Sequence, residues 1–166
     1  MELDALILAD AATVTEDGKF FVHGGGFTRL DVPELPAAIP IAVLARLRVQ
    51  DGDLKKDHQL NFALIGPTGV PNVEPINVLA MPPEAEPNLA EGQEQFLNVA
   101  LTIPAMAVRD GLYHVELRYN GKLIRRVPLP VVVDKGMLQG IEPPKAKPKT
   151  SKTKRPPPPP RKKRRP

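Results

Sequence analysis

The chain has 166 residues, enough for one domain with a buried core, and no cysteine, which excludes a disulfide framework and any Cys-based zinc site. Its net charge of +4 joins two unlike parts: residues 143–166 hold eleven of the 23 basic residues and no acid, so residues 1–142 carry 12 basic against 19 acidic side chains, a formal −7. An acidic body is a poor partner for nucleic acid, so any affinity for polyanions is assigned to the tail.

The N-terminus places Glu2 and Asp4 where a secretory signal would be basic, and Asp10 ends the first apolar run. No stretch approaches the ~18 apolar residues of a membrane span, and the expected location is cytoplasmic. Leu3 to Ala12 reads as an opening strand, followed by a turn at Glu16-Asp17-Gly18 and a second run, Lys19 to Val32, bent at Gly24-Gly25-Gly26. Pro33, Pro36 and Pro40 lead into Ile41–Val49, where Val43, Ala45, Leu47 and Val49 alternate with Arg46 and Arg48, the period of a strand with one wet face. After the loop 51–57 comes His58–Ile65, with Leu60, Phe62 and Leu64 on one face and Gln59 and Asn61 on the other. Gly66-Pro67-Thr68-Gly69 makes a turn, Val73–Ala80 an edge strand beside Pro71 and Pro75, and Pro82–Gly92 a loop. Gln95–Ile103 and the Tyr113–Tyr119 run alternate again. Asn120-Gly121 is a two-residue hairpin turn that needs φ > 0 at both positions, and Leu123–Val133 is the last strand. Short strands, frequent turn residues and no helical period predict an all-β fold: an antiparallel, immunoglobulin-like β-sandwich of about seven or eight strands. "RDGLY", Arg109 to Tyr113, supplies the turn and tyrosine of a tyrosine corner.

Three constellations invite a chemical reading. "FVHGGGF", residues 21–27, spells the oxyanion-hole run of lipase-type hydrolases. Such an enzyme needs a nucleophile on a strained elbow, and the only serine, Ser151, lies among lysines and prolines in the tail. The glycines are therefore read as structural and the protein as no enzyme. Asp51, Asp53 and Asp57 suggest a calcium loop, but Lys55 stands where an acid is needed and the closing glutamate is absent. His23, His58 and His114 are not spaced as ligand pairs, and His58 and His114 are placed at polar strand positions. No metal and no cofactor is expected.

The tail, 136–166, is read as a disordered Lys/Arg/Pro-rich extension to a domain of residues 1–135. Pro156 to Pro160 form a polyproline II rod of about 15 Å. The rod separates Lys145, Lys147, Lys149, Lys152, Lys154 and Arg155 from Arg161, Lys162, Lys163, Arg164 and Arg165. Eleven cations without aromatics suit phosphate backbones bound without sequence preference, or an acidic protein surface.

"MELDALILADAATV", "HGGGFTRL" and "GLYHVELRYNGKLIRRVPLPVVV" together resemble a bacterial, mainly actinobacterial, domain-of-unknown-function family of small β-sandwich proteins, over roughly residues 1–134. The resemblance implies fold and localisation and brings no activity, cofactor or partner. The expected function is a non-catalytic binding or accessory module whose cationic tail contacts nucleic acid or an acidic partner. The alternative is a structural, oligomerising sandwich whose tail only solubilises; an enzyme of unrecognised type comes last.

Overall fold

The computed structural model describes residues 1–50, 53, 56–80 and 94–138. Among the described residues ten strands make two principal sheets and a hairpin. β1 (Glu2–Ala9), β5 (Ala37–Val49) and β8 (Gln95–Ala107) form an antiparallel three-stranded sheet in the order β1-β5-β8. β4 (Leu30–Val32), β10 (Lys122–Val133), β9 (Gly111–Tyr119), β6 (His58–Ile65) and β7 (Ile76–Ala80) form a five-stranded sheet in that order. β2 (Ala11–Val14) and β3 (Phe20–His23) make the hairpin. A short 3-10 turn, Lys135–Leu138, follows β10.

The predicted alternation fills one core between the two principal sheets. Because successive side chains on a strand face opposite ways, Ile41, Val43, Ala45 and Leu47 of β5 point inward together. They meet Leu60, Phe62 and Leu64 of β6 and Tyr113, Val115 and Leu117 of β9 in a single apolar cluster. Tyr113 is fully buried, and its hydroxyl donates to the Arg109 carbonyl at 3.0 Å, the bond expected of the corner tyrosine. Asn120 and Gly121 have φ of 46° and 80°, as their two-residue hairpin requires.

Three expectations are corrected. Two runs read as single strands are each divided. The first breaks at Asp10, whose N–H donates to the His23 carbonyl, so β1 stays in the three-stranded sheet while β2 turns off to pair with β3. The second breaks at the glycines: β3 belongs to the hairpin and β4 to the five-stranded sheet. The sheets are also not wholly antiparallel, since β4 runs parallel to β10. That pairing joins strands far apart in sequence, so no tight turn dictates its direction.

The hairpin lies against the outer face of the three-stranded sheet, touching β5 and β8. Asn98 of β8 donates to the Gly18 carbonyl at its turn (2.9 Å). Ala42 and Leu44, which face outward from β5, are consequently as buried as the core. The glycine run closes this cover. Gly26 N–H donates to the Leu8 carbonyl at 2.9 Å, and a Cβ on Gly25 would lie 2.6 Å from Val22 Cγ1 and 3.5 Å from Ile7 Cγ2. Positive φ falls at Gly24 (61°) and Gly26 (83°) and not at Gly25.

Candidate functional site

With one sheet covered by the hairpin, the outer face of the five-stranded sheet is the broad face left open among the described residues. β9 is its middle strand, and its outward residues are Leu112, His114, Glu116 and Arg118. In register, Glu116 faces Ala63 on β6 and Arg126 on β10. The small Ala63 leaves room beside the carboxylate, and a groove of about 530 Å³ opens there. Asn61, His114, Glu116, Arg118 and Arg126 line one end; Ile65, Pro67, Pro71 and Leu112 line the other.

Glu116 is 2% exposed, an unusual position for an acid on the outside of a sheet. Its Oε1 accepts from Arg126 Nε at 2.8 Å and from Arg126 Nη2, and its Oε2 accepts from Arg118 Nη2 at 3.1 Å. Burial alone would raise its pKa, but the guanidinium groups of Arg126 and then Arg118 outweigh that and hold the carboxyl below its ordinary range. At neutral pH the trio is therefore two cations around one anion. The arginine side chains are 43% and 52% exposed, so their remaining donors open to the groove.

A second polar cluster lies on the inner side of the same sheet, where β6 begins and β9 ends. His58 Nε2 lies 3.0 Å from the Asp53 carbonyl, which can only accept, so this nitrogen carries the proton. In the neutral ring Nδ1 accepts from the Tyr119 hydroxyl at 2.6 Å, and the two rings stack with centroids 5.6 Å apart. The Asp53 carboxylate takes the Met1 ammonium at 2.5 Å and the Gln50 N–H at 3.0 Å. Burial raises its pKa less than these partners lower it, and the net shift is downward. Burial, and then the charge of Asp53, raise the Tyr119 phenol. The ring nitrogens of His58, the Tyr119 hydroxyl and the Asp53 carboxylate are all engaged with one another or with the backbone, so the cluster ties β1, β6 and β9 together rather than presenting a reactive group.

The structure separates the three histidines. His23 is exposed on the hairpin, His114 lines the groove, and His58 is buried on the opposite face of the sheet. The placement of His58 at a polar position is thus corrected: it shares the parity of Leu60, Phe62 and Leu64 and points inward with them. Asp53 is committed to the Met1 ammonium and Gln50, Asp57 is exposed, and Asp51 lies outside the described residues. Among the described residues no group of three metal-ligating side chains comes together. All eleven tail cations, from Lys145 to Arg165, also lie outside the described residues, as does Ser151. No helix among the described residues is long and apolar enough to cross a membrane.

Sequence reading missed the trio at Glu116, Arg118 and Arg126. Its signal lies in "ELRYNGKLIRR": an acid and a base two apart share one face, and the Asn-Gly turn folds a further arginine back beside them. A register shift between Leu123 and Arg125 then selects Arg126 as the partner of Glu116.

The model of a family of unknown function, DUF6941, matches residues 4–132. No curated protein matches the chain. Among solved structures, the chain is similar to the Pseudomonas fluorescens alkylpurine DNA glycosylase AlkC bound to DNA containing an abasic site analog, at 14% identity and a TM-score of 0.32. That likeness covers 63% of this chain and 28% of the glycosylase chain.

Proposed function

The chain belongs to the family of unknown function DUF6941, and on that footing we propose that it is a non-catalytic binding module: an immunoglobulin-like β-sandwich, working in the cytoplasm, whose cationic tail engages a polyanion. Two features support the immunoglobulin-like reading. One is the Tyr113 corner bond; the other is the division into three- and five-stranded sheets around one core. The lack of cysteine fits a reducing compartment.

The observation that carries the functional reading is the partition of charge, −7 on residues 1–142 against eleven cations and no acid beyond them. The body repels a polyanion and cannot substitute for the tail. Full-length protein is expected to bind duplex DNA of any sequence at low salt. If about five phosphates are engaged, the log–log salt slope is about −4 to −5. Replacing Arg161, Lys162, Lys163, Arg164 and Arg165 by glutamine should flatten that slope and weaken all sequences alike, measured by fluorescence anisotropy across a salt series. Binding that ignores salt, or that survives the replacement unchanged, would refute the reading. Loss of solubility alone would favour a solubilising tail on a structural domain.

A further inference from the structure

We propose that the groove on the outer face of the five-stranded sheet is a binding site for a monocarboxylate carried on an apolar body. Both a free organic acid and the C-terminal residue of a peptide present this chemistry. The site lies on the folded domain and is independent of the tail's contact with polyanions, so either reading can fail without the other.

Two guanidinium groups share the Glu116 carboxylate, which leaves one net positive charge at one end of the groove. A single cation in excess suits a monoanion; a dianionic phosphate would remain half uncompensated beside a buried carboxylate. The donor inventory points the same way. Each guanidinium has five N–H donors in a planar fork. Glu116 takes one N–H from Arg118 and two from Arg126, and both side chains are about half exposed. The unused donors belong to two planar guanidinium groups that flank Glu116, and such a fork matches the two oxygens of a carboxylate.

Glu116 is the positioning residue. A long arginine on an open sheet samples many rotamers and loses that freedom on binding; here one buried carboxylate has already fixed two of them. His114 adds a ring between this end and the apolar one.

The apolar end supplies the rest. Ile65, Pro67, Pro71 and Leu112 line it, and Leu112 is 46% exposed although it sits on a sheet face. Ala63, Gly66 and Gly69 leave the floor free of bulk. The volume of about 530 Å³ falls within the range of small-ligand sites, with polar groups gathered at one end and apolar side chains at the other.

The test uses full-length, isotope-labelled protein and site-resolved NMR, because the tail cations attract any anion diffusely. The probes are 3-phenylpropionate, its neutral amide, and N-acetyl-glycyl-phenylalanine with a free or an amidated C-terminus. At least one acid should shift the signals of Ala63, His114, Glu116 and Arg118, and its amide should not. Which acid does so tells a small-molecule source from a peptide terminus. Arg118→Gln should weaken the response about tenfold or more. Leu112→Asp, at an exposed position outside the core cluster, should weaken it as well by placing a like charge on the wall. Equal shifts from acid and amide, shifts confined to the tail, or a response unchanged in Leu112→Asp would overturn the proposal.

Discussion

Removing the charge of Glu116 would leave the Arg118 and Arg126 guanidinium groups around a neutral side chain. The carboxylate is buried while its partners are half exposed, so the cost is that of the lost charged hydrogen bonds rather than of a stranded buried cation. Glu116→Gln is expected to destabilise the protein by about 1–2 kcal/mol at neutral pH. The pH dependence has a definite sign. The folded-state pKa lies below the ordinary value, so the stability it brings is fully present above the ordinary carboxylate range and is lost as pH falls through the lowered folded value. Urea denaturation at several pH values should therefore show wild type and Glu116→Gln converging in acid. A gap that stays constant down to pH ~2, below the ordinary carboxyl pKa, would show that ionisation of Glu116 is not what holds the arginines.

The glycine run shows how one element was half legible. Three glycines inside an apolar run announce a bend, and the bend carries the chain from the hairpin to the five-stranded sheet. Which glycine does what depends on contacts that no local pattern contains. Gly24 has a positive φ and a Cβ on it would also run into the Asp10 carboxyl group, whereas Gly25 is not at positive φ and is held small by Val22 and Ile7. Gly24→Ala and Gly25→Val are each expected to cost about 1–2 kcal/mol, the first through left-handed backbone together with displacement of the Asp10 side chain and the second through overpacking. His23→Ala should stay within about ±0.5 kcal/mol, because the exposed ring is removed while the backbone carbonyl that holds Asp10 remains. Chemical denaturation of the three variants checks this, and an unchanged midpoint for Gly25→Val would remove the packing argument. Alternation made β6, β8 and β9 readable, because period two is a local property. His58 was readable from the same parity, and its polarity masked it. Asp10 ends the first apolar run in the sequence, but that β2 turns off there to pair with β3 was not readable, since the partner of Asp10 is thirteen residues away on the far side of a turn.

Across the whole molecule, what could be read was the core and what could not was the surface. Buried faces repeat along each strand, whereas the trio at Glu116 depends on the register of three strands and on one bulge. The same holds for the outward burial of Ala42 and Leu44. A strand alternating to Arg46 and Arg48 predicts one wet face, yet the hairpin covers the nearer part of that face. This double enclosure of β5 has a consequence for amide hydrogen exchange. The strand is hydrogen-bonded to β1 on one edge and β8 on the other, with side chains buried above and below from Ile41 to Ala45. Its amides can meet deuterated solvent only when the fold opens as a unit, so they should be the slowest in the protein and report the global unfolding free energy. β4, three residues long, and β7, at the opposite rim of the grooved sheet, should exchange sooner through local opening. Equal protection in β5 and β7, followed by mass spectrometry, would contradict this ordering. Any adjustment of shape on binding then falls to those two rims, while β5 stays closed.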